Sequence, residues 1–180
     1  LFLLFGTEAA EGVGCGSGAE LVVVNDTLNA YSTAIRYGVK TLDGTVLYEA
    51  NTAVNGLIGV YKEKVNFDCN RADVYLFAEY AQNGENASVV YSPKLWSGVQ
   101  FTSDYEVKTE KLDACSVKVT IKANAFAKSV FISLKDNYKY TYSDNYIDVE
   151  AGKEKSVIIT ASEPIDEAQI TVTDFAKMTV

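Results

Sequence analysis

Short segments in which apolar and polar residues alternate recur along the whole chain. Residues 117–122 read Val-Lys-Val-Thr-Ile-Lys, and residues 35–40 read Ile-Arg-Tyr-Gly-Val-Lys. Successive side chains of a strand point to opposite faces, so each segment predicts a strand with one buried face. A helical period is sustained nowhere. The pattern therefore predicts an all-β protein.

Two dipeptides between alternating segments predict tight hairpins. Asp43-Gly44 and Asn83-Gly84 each lie between two strand patterns, and both dipeptides adopt the positive φ angles that two-residue hairpin turns require. An opening strand is predicted within residues 1–5. Further strands are predicted at about 19–25, 58–67, 129–135, 145–149, 154–161 and 168–174.

The strands repeat about every 8 to 12 residues, which is typical of antiparallel sandwiches. The pattern changes within residues 92–104, which contain Pro93 and Trp96. We therefore expect two tandem antiparallel immunoglobulin-like β-sandwich domains, at 1–98 and 99–180, with Trp96 packed as a wedge between them. Residues 12–18, Gly-Val-Gly-Cys-Gly-Ser-Gly, predict a loop, because a strand pattern and not a helix follows them.

The composition supports the all-β fold class and argues against nucleic acid and membranes as binding partners. The chain has 12 Tyr, 8 Phe and 1 Met, a mixture that suits pleated surfaces. A net charge of −8 opposes binding to nucleic acid. No apolar run approaches the roughly 20 residues needed to span a bilayer, so membrane insertion is not expected. Residues 1–5 lack the flanks of a signal peptide, and the chain is expected to be an excised part of a longer one.

The three cysteines are Cys15, Cys69 and Cys115. Their odd number and wide spacing predict neither a dense disulfide framework nor a thiolate zinc site. A single bridge between Cys15 and Cys69 remains open.

The chain contains no His. This excludes Ser-His-Asp and Cys-His catalysis, although glycoside hydrolysis needs only two carboxylates. Glu79, Glu85, Glu106 and Glu110 are scattered over alternating strands or turns, and we interpret them as charges on outward faces. No catalytic residue is assigned to this chain.

A second acidic group consists of Asp136, Asp144, Asp148 and Glu150. These residues lack the order of ligands found in an EF-hand loop. We therefore expect no metal site, and no motif predicts a cofactor.

Four tyrosines, Tyr138, Tyr140, Tyr142 and Tyr146, lie close together in the sequence. They could form a platform for stacking on sugars, or they could pack across strands and against another domain. The sequence leaves both interpretations open.

Asn25-Asp26-Thr27 and Asn86-Ala87-Ser88 match the glycosylation sequon, which matters only in a secretory eukaryotic protein.

A resemblance to a known family goes further than these patterns. Residues 130–161 contain Ser-Asp-Asn-Tyr at 143–146, an aliphatic-acidic strand and the turn Glu150-Ala151-Gly152-Lys153. This segment resembles the C-terminal domain of glycoside hydrolase family 2 β-mannosidases. Residues 21–49 are similar to the sandwich that precedes it in that family.

The resemblance implies a parent enzyme that cleaves terminal β-D-mannosyl residues with retention through a glycosyl-enzyme intermediate. The catalytic glutamates of such enzymes lie on an upstream (β/α)₈ barrel, which has no counterpart in these residues. We expect this chain to be inactive alone and to buttress that barrel, while mannose-containing glycans are bound through the parent. Alternatives are a carbohydrate-binding or adhesion module, and an accessory region of another family 2 enzyme. For a bacterial glycan-degrading enzyme a periplasmic or secreted location is favoured, but a cytoplasmic location and the oligomeric state both stay open.

Overall fold

The computed structural model describes residues 2–6, 19–65, 71–82, 85–92, 99–135 and 139–178. The chain divides into two compact units. Unit 1 comprises Leu1–Thr41 and Thr45–Val99, and unit 2 comprises Leu42–Gly44 and Gln100–Val180. Strands dominate both units, which confirms the predicted all-β, antiparallel fold class.

Unit 1 contains two antiparallel sheets. One has three strands in the order β1-β2-β5, and the other has four in the order β4-β3-β6-β7. The strands are β1 (Phe2–Gly6), β2 (Ala19–Asn25), β3 (Tyr31–Thr41), β4 (Val46–Leu57), β5 (Gly59–Val65), β6 (Val74–Gln82) and β7 (Glu85–Tyr91).

The core of unit 1 lies between these two sheets. Leu21 and Val23 of β2 are fully buried and belong to one apolar cluster with Ile35 of β3 and Leu76 of β6. In β2 every second residue is buried, as expected for a strand with one face in the core, although residues 21–24 are apolar throughout. Two sheets that share a core in this way form a sandwich.

Unit 2 repeats this arrangement. Its sheets have the strand orders β12-β10-β14 and β11-β13-β9-β8. The strands are β8 (Tyr105–Lys111), β9 (Ser116–Ala123), β10 (Ala127–Leu134), β11 (Tyr140–Tyr142), β12 (Ile147–Val149), β13 (Glu154–Ala161) and β14 (Ile170–Thr173). A short 3-10 turn, Glu167–Gln169, precedes β14, and the four-residue helix α1, Phe175–Met178, follows it.

The core of unit 2 joins both sheets. Val117, Val119 and Ile121 of β9 pack in one cluster with Val130 and Ile132 of β10, and all five are fully buried. No helix in the described ranges is long and apolar enough to cross a membrane.

The hairpin predicted at Asp43-Gly44 is confirmed, since β3 and β4 pair antiparallel around it and Gly44 has φ +89°. Strands β6 and β7 also pair antiparallel, with Gln82 opposite Glu85, whereas Asn83 and Gly84 lie outside the described residues. Residues 12–18, with Cys15, and residues 93–98, with Pro93 and Trp96, also lie outside them, so the predicted loop and wedge are not described.

Three details differ from the predicted strands. The strand predicted at 168–174 begins only at Ile170, because the Asp166 side chain caps the 3-10 turn before it. The strand predicted at 145–149 begins at Ile147. Strands β8 and β11 were not predicted: β8 alternates but contains only two apolar residues, Tyr105 and Val107, and β11 has only three residues.

Candidate functional site

The segment that carries the family resemblance, residues 143–155, lies in unit 2 and contains β12, which pairs with β10. The Asn145 side chain makes the hydrogen bonds to β10 that the backbone of a neighbouring strand would otherwise make. The Asn145 Oδ1 accepts a hydrogen bond from the Ile132 backbone N–H at 2.9 Å, and its Nδ2 donates to the Ile132 carbonyl at 2.8 Å. The side chain thus satisfies both backbone groups of a fully buried residue, two residues before β12 begins.

Tyr146 follows in a conformation that is uncommon for its residue type. Its φ is +56°, in the left-handed region, and its N–H donates to Asn145 Oδ1 at 2.9 Å. Its ring stacks on Phe131 of β10, with centroids 4.8 Å apart and planes inclined by 24°. The Tyr146 side chain nevertheless remains 63% exposed. The two rings form an aromatic pair on the outer face of the β12-β10-β14 sheet.

Asp148 stabilises an irregularity in β10. The register shifts between Ala127 and Val130, so that Lys128 and Ser129 lie opposite the single residue Asp148. Asp148 binds Lys128 Nζ through both carboxylate oxygens, at 3.0 and 2.8 Å, and accepts from the Ser129 N–H at 2.9 Å. Ser129 has φ +50°. The Asp148 carboxylate therefore satisfies the unpaired Ser129 N–H of the bulge and also forms an ion pair with Lys128.

The turn after β12 is stabilised by Glu150 and Gly152. The Lys153 N–H donates to the Glu150 carbonyl at 3.0 Å, and Gly152 has φ +76°, as a type II turn requires at its third position. The Glu150 side chain is buried and accepts from Lys153 Nζ at 2.9 Å. A buried carboxylate needs such a partner.

The remaining candidate carboxylates do not converge with these. Asp144 Oδ1 accepts from the Asn145 N–H at 2.8 Å, and Asp136 lies outside the described residues. Glu106 and Glu110 are exposed on β8, and Glu85 lies in β7 with a side chain outside the description. Across the described ranges, no group of three or more His, Cys, Asp or Glu side chains could hold a metal ion.

Glu79 is part of an ion-pair network on unit 1. Arg36 on β3 contacts Glu79 on β6 at 2.9 Å and Glu49 on β4 at 2.5 Å. The hydrogen bond to Glu49 is the main cause that raises the pKa of Arg36, and the same bond lowers the pKa of Glu49. These are cross-strand pairs, which stabilise a sheet without any catalytic geometry.

The tyrosines do not form one platform. Tyr140 and Tyr142 lie on β11, meet edge to face at 5.1 Å, and pack half-buried against the core. Burial is the main cause that raises the pKa of Tyr142. Tyr146 lies just before β12 and stacks on Phe131 of the other sheet, and Tyr138 lies outside the described residues. Phe131, which sequence reasoning missed, is the actual partner of Tyr146; its outward position in the alternation of 130–134 was the available signal.

The Asn25 side chain of the first glycosylation sequon is fully engaged in hydrogen bonds within the fold. The Asn25 Nδ2 donates to the Asn29 and Leu57 carbonyls at 2.8 and 2.7 Å, and its Oδ1 accepts from the Thr27 N–H and hydroxyl. Asn25 is buried, so the folded chain has no amide to offer there. Asn86, of the second sequon, lies in β7, but its side chain is not among the described parts of the structure.

Cys115 is a free thiol, while Cys15 and Cys69 lie outside the described residues.

Comparisons with known proteins give the segment its context. Residues 99–178 match the family model Ig_mannosidase, an Ig-fold domain. A search of curated protein sequences finds no match. Among solved structures, the chain is similar to the β-D-mannosidase from Dictyoglomus thermophilum, with a TM-score of 0.72 and 13% identity over 96% of this chain. The chain covers 21% of that protein, so it spans about a fifth of its length.

The structural similarity, at this level of identity, supports the fold of both units, whereas the family match is specific to the second. The family match covers the Ser-Asp-Asn-Tyr segment and the Glu150–Lys153 turn, on which the resemblance was based. The predicted resemblance is thereby confirmed: residues 99–178 match the Ig_mannosidase family model, which describes an Ig-fold domain.

Proposed function

We propose that this chain is the non-catalytic C-terminal accessory region of a retaining β-mannosidase. The observation that carries the proposal is the match of residues 99–178 to the Ig_mannosidase domain, together with the fold that 96% of the chain shares with 21% of a β-mannosidase. In this proposal the parent hydrolyses terminal β-D-mannosyl residues, and the two units here are its domains 1–98 and 99–180.

The described carboxylates support a structural role. Retaining glycosidases need two carboxyl groups about 5 to 5.5 Å apart on either side of the scissile bond. Here Asp148, Glu150 and Glu79 each bind a Lys or Arg side chain. These three carboxylates therefore form ion pairs that stabilise the sheets and turns. Catalysis in the proposed parent then depends on glutamates of a separate barrel.

The proposed partner is that barrel. A rigid sandwich is suited to supporting the barrel because its sheets are held by full antiparallel registers and by the side-chain bonds of Asn145 and Asp148. Removal of residues 99–180 from the parent should leave the chemistry intact but shorten the half-life of activity on heating. An unchanged half-life would contradict the buttressing role.

The parent's specificity is tested separately. The full polypeptide that carries these residues is assayed on aryl β-mannoside, aryl β-galactoside and aryl β-glucosaminide. We expect turnover of the mannoside to dominate. Preference for either of the other two would assign the region to a different family 2 glycosidase and leave its accessory role intact.

A further inference from the structure

The outer face of the β12-β10-β14 sheet combines one open aromatic ring with a row of hydroxyl groups. Tyr146 stacks on Phe131 of β10, and Phe131 lies opposite Thr173 of β14. In the next row of the same face, Ser133 lies opposite Thr171, and their hydroxyls are 2.6 Å apart. The inward residues of these strands, Ile132 and Leu134, are buried in the core.

The backbone at Tyr146 is an unfavourable place for a tyrosine. Its φ of +56° lies in the region where Gly and Asn are accepted readily and large side chains are not. A Gly or Asn would meet the same turn at a lower conformational cost. Such strained residues cluster at ligand sites, where the local structure holds a side chain in one useful orientation.

The neighbouring side chains hold the ring in that orientation. The Asn145 Oδ1 accepts from the Tyr146 N–H while it also binds the Ile132 N–H, so the backbone on both sides of the aromatic pair is fixed. Phe131 covers one face of the tyrosine ring at 4.8 Å. The side chain is still 63% exposed, which leaves its other face open to solvent.

An open aromatic face beside hydroxyl groups matches the chemistry of a pyranose ring. The C–H face of a sugar packs on an aromatic ring, and its hydroxyls bond to polar groups nearby. Ser133, Thr171 and Thr173 supply neutral donors and acceptors, and Asp144, exposed two residues before Tyr146, supplies a carboxylate. The net charge of −8 disfavours nucleic-acid bases as the stacking partner.

We propose that Tyr146, supported by Phe131, is a non-catalytic stacking site for a pyranose saccharide on unit 2. The site goes beyond the proposed accessory role and does not depend on it, because its ligand would bind this chain in the absence of a barrel. One stacked ring with a few hydroxyl contacts corresponds to a dissociation constant on the order of 1 mM.

The test is a titration of the ¹⁵N-labelled 180-residue chain with β-1,4-mannotriose, followed by amide chemical shifts. We expect saturable shifts centred on residues 131–133, 144–147 and 171–173. The absence of saturable shifts at these residues, or shifts centred on another surface, would overturn the proposal. In that case, the aromatic pair would be a contact for another domain.

Two variants separate the ring from the fold. Tyr146→Asn removes the ring and keeps a residue that tolerates positive φ, so the turn is preserved and binding should weaken at least tenfold. Tyr48→Thr, which removes a partly exposed tyrosine from β4 of unit 1, is the matched control and should bind as the original chain does. Equal binding by the Tyr146→Asn variant would contradict the site.

Discussion

The side chain of Asn145 pairs with the backbone of Ile132 as a neighbouring strand would, accepting from its N–H and donating to its carbonyl. Asn145→Ala should leave two buried backbone groups without partners. We expect the free energy of unfolding to fall by about 2 to 4 kcal/mol. Urea denaturation followed by circular dichroism measures this loss.

The matched control is Asn51→Ala, at an exposed position of β4, which should change stability by less than about 0.5 kcal/mol. Equal stability of the two variants would show that the Asn145 amide does not hold β10.

The close approach of β3 and β4 at Gly38 is a second point of sensitivity. A Cβ added to Gly38 would lie 2.0 Å from the Tyr48 carbonyl oxygen, a backbone atom that cannot move alone. Gly38→Ala should therefore destabilise the protein by about 3 kcal/mol or more. Gly56→Ala, where nothing lies within 4 Å and only the positive φ of +61° opposes the change, should cost about 1 kcal/mol. The reverse order in thermal denaturation would refute this packing argument.

Ser129 occupies the bulge opposite Asp148 with a φ of +50°. Glycine adopts this conformation without steric strain, so Ser129→Gly should be neutral or stabilising by up to about 1 kcal/mol. Ser129→Val should destabilise by about 1 to 3 kcal/mol, because a β-branched side chain is poorly accepted there. Chemical denaturation of both variants checks the sign. A Gly variant clearly less stable than the Val variant would mean that the bulge is not strained.

Stability at alkaline pH should depend on Tyr37. Burial is the main cause that raises the pKa of this β3 tyrosine to about 12, against about 10 in an unfolded chain. Between these values the unfolded state has lost the proton that the folded state retains, so stability falls as pH rises from 10 to 12. The contribution is fully present below pH 10 and is on the order of 2 kcal/mol.

Tyr37→Phe removes this titration and should give a shallower loss of unfolding free energy between pH 9 and pH 12. The measurement is urea denaturation across that interval for both chains. Identical slopes would contradict a raised pKa at Tyr37.

The alternation along the chain was sufficient to predict most strands, because each has one face in a core. Residues 117–122 are a direct example, with buried residues at every second position. Strand β8 has the same alternation, Tyr-Glu-Val-Lys-Thr-Glu-Lys, but the prediction omitted it, because only Tyr105 and Val107 are apolar and the strand lies largely exposed at a sheet edge.

The candidate site could be predicted only in part. The Ser-Asp-Asn-Tyr segment was identified by resemblance, but the roles of Asn145 and Asp148 depend on hydrogen bonds to β10 residues that lie 13 to 20 positions earlier in the sequence. Sequence spacing does not report which side chain replaces a backbone partner. For the same reason, the bulge that lies opposite Asp148 could not be foreseen. Four neighbouring tyrosines suggested one platform, whereas β11 and β12 belong to different sheets.

The central claim, that this chain is an accessory region without glycosidase chemistry of its own, is tested most directly by hydrolysis of an aryl β-mannoside. The isolated 180-residue chain is assayed beside a complete β-mannosidase as positive control. We predict no turnover above buffer for the isolated chain. Turnover that purifies with the chain and disappears when one of its own carboxylates is changed to an amide would contradict the account.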